Sequence, residues 1–103
     1  MPVFVVERYL PALTAEGVHI QARSDSELVG LRHLRTTYLC ADELCFSTFE
    51  APSLDAVRRA NEVALMAYER INEAIDVTTG PSRSDSARPC ISHPSQPLPG
   101  ALQ

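Results

Sequence analysis

Three cysteines and three histidines are the residues best suited to chemistry in this 103-residue chain. Cys40 and Cys45 stand five positions apart. Such a pair can be a redox couple or two soft metal ligands. It also reads as two small, half-buried strand residues. That blander reading is the stronger one, because C-x4-C lacks the spacing and partner ligands of a zinc site. His19, His33 and His93 show neither H-x3-H nor H-E-x-x-H spacing. His33, Cys40 and Cys45 are therefore the candidate metal ligands, with His33 otherwise a solvated residue at the start of a strand. Glu7, Arg8 and Tyr9 add a carboxylate, a guanidinium and a phenol close together in the chain. No phosphate loop, nucleophile elbow or dinucleotide fingerprint occurs, and the four glycines are scattered.

The elements that must position these residues follow from local pattern. Val3 to Tyr9 is β-branched and aromatic and reads as a strand ended by Pro11. Thr14 can cap a helix, with Glu16 in its first turn, Val18, Ala22 and Val29 along one side, and Gly30 as its stop. Leu34 to Cys40 and Leu44 to Glu50 form a hairpin across a turn at Ala41-Asp42-Glu43. Setting Cys40 opposite Cys45 places Tyr38 opposite Ser47, Leu39 opposite Phe46 and Arg35 opposite Glu50, a favourable pair of charges. On a regular strand His33 and Thr36 then point to opposite faces. Ser53 caps a second helix carrying Val57, Ala60, Ala64 and Ala67, and a last strand spans residues 69–77.

The order β-α-β-β-α-β predicts an α+β, ferredoxin-like fold with a four-stranded antiparallel sheet, strand order 4-1-3-2, and two helices on one face. Its domain is residues 1–77. Residues 78–103, rich in Pro and Ser, read as a disordered tail. In this topology the end of the first strand lies beside the hairpin turn, so Glu7, Cys40, Cys45 and Arg70 can share one rim. A domain of roughly 77 residues with one bare sheet face is marginal alone, and a second copy is the expected cover.

Charge narrows the partners. Of 13 acidic residues only Asp85 lies in the tail, and of 9 arginines only Arg83 and Arg88, so the domain carries 7 − 12 = −5. Nucleic-acid binding rests on a surplus of positive charge, which is absent. No apolar run approaches the ~20 residues of a membrane span. An odd cysteine count does not make a secreted disulfide framework, and Glu7 and Arg8 interrupt the apolar start. The expectation is a cytoplasmic protein with no membrane and no nucleic-acid partner.

Val5-Val6-Glu7-Arg8, the hairpin end Phe49-Glu50-Ala51-Pro52, Ala56-Val57-Arg58 and Tyr68-Glu69-Arg70-Ile71 resemble a family of small bacterial proteins of unknown function that includes nickel-binding members. The resemblance covers about residues 1–77 and implies a ferredoxin-like homodimer with nickel as a possible cofactor. The histidine and cysteine often found in that family fall here on Thr36 and Ser47. Hydroxyls are poor ligands for borderline ions. On the expected register Thr36, Tyr38, Cys45 and Ser47 share one face, and Glu7, Tyr38, Cys45 and Ser47 are the candidate ligand pocket. The expected function is a small homodimeric binding protein for a metal ion or small ligand. The alternative is a small dimeric α/β-barrel-type enzyme, an isomerase or cofactor-free monooxygenase, using Tyr38 with Glu7 or Glu50.

Overall fold

A computed structural model describes residues 1–77. The predicted tail, residues 78–103, lies outside the described residues. Six elements follow in the expected order: β1 (Val3–Tyr9), α1 (Ala15–Ser26), β2 (Arg32–Leu39), β3 (Leu44–Glu50), α2 (Leu54–Val63) and β4 (Arg70–Ala74). The sheet runs β2-β3-β1-β4, all antiparallel. This is the ferredoxin-like arrangement, read from the opposite edge.

Period-two alternation sorts the strands into two faces. Phe4, Val6 and Arg8 of β1 and Cys45, Ser47 and Phe49 of β3 point to the helices and are buried. Val57 of α2 and Leu28, just past α1, complete one apolar core with Phe4, Val6, Phe49 and Ala51. Leu31, Ala60, Met66, Tyr68 and Ile71 pack at its margin. Both helices start as the sequence predicts. Thr14 Oγ1 accepts from the Gly17 amide at 3.1 Å, and Ser53 Oγ accepts from the Ala56 amide at 3.1 Å. Each cap satisfies an amide that has no partner inside the helix.

Helix α1 ends at Ser26, four residues before the expected stop. Val29 is 86% exposed, so it is not part of the apolar side. The one helical residue of α1 that is fully buried is Asp25, in the middle of the polar run Arg23-Ser24-Asp25-Ser26-Glu27. Helix α2 ends in a Schellman turn: the Met66 amide donates to Asn61 O at 2.9 Å and the Leu65 amide to Glu62 O at 3.1 Å. Leu65 occupies the left-handed position, φ 60°, that glycine takes without a Cβ penalty, and its side chain is 91% exposed. Leu65→Gly should therefore raise stability by up to about 1 kcal/mol in urea unfolding. A loss of stability would show that the Leu65 side chain packs on something.

The hairpin register differs from expectation by two residues. Tyr38 pairs with Cys45, Leu39 with Leu44, and Thr36 with Ser47, across a four-residue turn at 40–43. An even shift keeps every side chain on its face, so Thr36, Tyr38, Cys45 and Ser47 do share one. The turn closes with Glu43 at φ 59°, its amide bonded to Leu39 O at 2.8 Å. The Glu43 carboxylate accepts from the Ala12 amide at 2.9 Å and the Tyr9 hydroxyl at 3.3 Å, tying the turn to the β1–α1 connection. Arg35 consequently does not face Glu50. It faces Thr48, and Arg32 takes Glu50 at 2.9 Å.

A bulge between His33 and Arg35 accounts for the rest of that change. One extra residue there turns His33 onto the helix face. The expectation that His33 and Thr36 oppose each other fails for this reason. His33 Nε2 lies 2.8 Å from Thr36 Oγ1, and its ring sits 5.6 Å from that of Phe49.

Candidate functional site

The sheet's helix side holds a buried polar cluster centred on Asp25. Arg8 enters from β1, Thr36 from β2 and Ser47 from β3, while Gln21 and Asp25 come from successive turns of α1. Four donors converge on one carboxylate. Arg8 Nη2 at 3.1 Å and Gln21 Nε2 at 3.0 Å reach Oδ1; Thr36 Oγ1 at 2.7 Å and Ser47 Oγ at 2.5 Å reach Oδ2. An ionised carboxylate offers about four acceptor positions, and all are filled. The single proton of the Thr36 hydroxyl goes to Asp25, so His33 Nε2 must carry the proton shared with Thr36 Oγ1. Arg8 is 2% exposed and also donates to Ala67 O at 3.1 Å, linking α1 to the segment before β4.

Both members of the ion pair were absent from the sequence-based site. A signal for them exists. Phe4, Val6 and Arg8 alternate inward along β1, and Val18, Gln21, Ala22 and Asp25 recur at helical spacing along α1. One positive and one negative charge thus fall at positions that should be apolar.

The sequence-predicted pocket residues divide between the two faces. Tyr38, Cys45 and Ser47 lie on the helix side. Glu7 lies on the other side, where it pairs with Arg70 at 3.1 Å. Tyr38 is fastened to the β1–α1 connection, its hydroxyl donating to Leu10 O at 2.7 Å and accepting from the Leu13 amide at 3.3 Å. Glu7 and Glu50 are on the far face, so neither reaches the Tyr38 hydroxyl within one chain. Of the expected rim, Glu7 and Arg70 meet, Cys40 is exposed in the hairpin turn, and Cys45 is buried beneath the sheet.

The metal candidates fare similarly. Burial pushes the Cys45 thiol up, and the Asp25 charge adds to that, so it stays a neutral thiol and a weak nucleophile. Cys40 pairs with neither Cys45 nor His33 in the sheet register. Among the described residues no group of three or more His, Cys, Asp and Glu is arranged to hold a metal ion.

Among the described residues no helix lies on the opposite face of the sheet. Its cross-strand rows are Leu39-Leu44-Tyr9, Thr37-Phe46-Glu7-Arg70, Arg35-Thr48-Val5-Asn72 and Arg32-Glu50-Val3-Ala74. Leu39, Leu44 and Tyr9 of the first row and Phe46 of the second form an apolar patch at the hairpin end, with Tyr9 51% and Leu39 42% exposed and Leu44 and Phe46 half-buried. Glu43, by its charge and hydrogen bond, raises the Tyr9 phenol above its ordinary range, so that phenol stays protonated. Among the described residues no helix is long and apolar enough to cross a membrane.

In the functional comparisons, no family model, curated protein or solved structure matches the chain. What the fold and its two faces define is a class: a small ferredoxin-like α+β domain, with a buried polar cluster around Asp25 under its helices and an apolar patch on its open face.

Proposed function

We propose that this protein is a homodimeric binding protein that pairs through the open face of its sheet. The observation that carries this reading is the aligned row Leu39-Leu44-Tyr9 with Phe46 beside it, apolar side chains in register on a face that carries no helix. Such a patch on a small domain marks an interaction surface. The same face carries Arg32, Arg35 and Arg70 with Glu7 and Glu50, both signs together, as a self-complementary two-fold contact requires.

The sheet edges support the same choice. β2 is bulged and bears Arg32 and Arg35, and β4 is only five residues long with Arg70 and Glu73. Bulges, short length and charge are the devices that discourage edge-to-edge pairing. Two facing sheets of this kind enclose a mainly apolar cleft, a class of site that takes small organic molecules. The filled Asp25 cluster serves as the rigid support behind that face.

Light scattering of the full chain at micromolar concentration should give about twice the 11.3 kDa chain mass. Phe46→Glu should return it to one chain mass with circular dichroism unchanged. A wild-type protein that runs as a monomer overturns the dimer.

A further inference from the structure

Arg35 and Asp76 form an ion pair that the sheet topology makes unusual. Arg35 is on β2 and Asp76 follows β4, and these are the two outer strands of the sheet. Three strand spacings, about 14 Å, separate them. Arg35 Nη2 nevertheless lies 2.7 Å from Asp76 Oδ2. The helix side is filled by the core and the Asp25 cluster, and the register puts Arg35 on the open face beside Thr48. The bridge therefore crosses β3 and β1 over the open face. Thr48, in the Arg35 row of that face, is only 6% exposed. Val5, in the same row, is half-buried.

We infer that the segment Ile75–Val77, held by the Arg35–Asp76 pair, is a strap that covers the Thr48 and Val5 half of the open face and opposes docking of a second copy there. The inference rests on the dimer reading above. Covered, the open face presents only its hairpin half. Released, it adds Val5, Val3 and Thr48 to the Leu44 and Phe46 patch as one continuous surface. The latch is weak by construction, because both side chains are part-exposed, 46% and 36%. A surface ion pair of this kind contributes at most about a fivefold factor to an equilibrium. Two straps per dimer give a factor between about three and thirty. Ile75 and Val77, on either side of Asp76, are 91% and 73% exposed, so little apolar packing holds the strap besides the ion pair.

Sedimentation equilibrium of the full chain, with Asp76→Asn, the double variant Arg35→Asp/Asp76→Arg, and Phe46→Glu, tests this. Circular dichroism melting checks that each variant is folded. Asp76→Asn should tighten the dimer between about threefold and thirtyfold, and the charge-swapped double variant should return to the wild-type constant. A wild type that is monomeric while Asp76→Asn dimerises overturns the native dimer and supports the strap as the element that blocks pairing. If the wild type dimerises, Phe46→Glu abolishes it, and Asp76→Asn leaves the constant unchanged or weaker, the strap is wrong and the dimer stands. If every form is monomeric, both are wrong.

Discussion

Replacing Asp25 with alanine should cost roughly 3–5 kcal/mol, the usual penalty for removing one partner of a buried ion pair. The loss strands Arg8, a guanidinium 2% exposed that has no other carboxylate partner among the described residues. It also strips the acceptor from Gln21, Thr36 and Ser47 together. A domain this size holds about 5 kcal/mol or little more, so Asp25→Ala should keep only about 0–2 kcal/mol and be partly unfolded at room temperature. Ser47→Ala and Thr36→Val each remove one donor and should cost about 1–3 kcal/mol. The double variant Arg8→Met/Asp25→Leu removes both charges and should recover much of the loss, since apolar replacement of a buried pair is often neutral. Urea unfolding of the four variants checks the set. An Asp25→Ala protein within about 1 kcal/mol of wild type would mean that the pair is not held as described.

Phe49→Ala should cost about 3–5 kcal/mol, whereas Phe46→Ala should cost about 1 kcal/mol in the dilute monomer. The residues are three apart on one strand and so point to opposite faces. Phe49 is fully buried in the apolar core and touches the His33 ring, while Phe46 is half-buried on the open face. The concentration dependence should divide the other way. The dimer proposed above would bury Phe46 at high concentration, so on that proposal its variant alone should lose stability that depends on protein concentration. Equal costs for the two substitutions would contradict the two-face assignment.

Much of the scaffold was legible because its causes are local. The β-branched run Val3–Val6, the caps Thr14 and Ser53, and the polar turn between Leu39 and Leu44 act within a few residues of themselves. They specify element type, order and strand parity. Parity explains why Thr36, Tyr38, Cys45 and Ser47 were correctly grouped although the register was two residues out: side-chain direction depends on odd or even count alone. Arg35 against Glu50 failed because charge complementarity is satisfied equally by Arg32, and nothing local chooses between two arginines. His33 was misplaced because a bulge is an insertion in pairing, visible only from the partner strand.

The site was less legible than the scaffold for a related reason. Arg8 and Asp25 are 17 positions apart and each looks like ordinary surface charge in its own segment. Neither is stable inside without the other, so their burial is a property of the pair and of the helix–sheet contact that joins them. By itself the sequence determined the six elements, their caps and, His33 at the bulge excepted, the face that the strand residues take, since these follow from periodicity and from groups a few bonds away. Tertiary structure alone decided the hairpin offset, the His33 bulge, the saturation of Asp25 and the reach of Arg35 to Asp76 across the sheet. Each is a choice among distant partners, and only the closed fold brings those partners within hydrogen-bond distance.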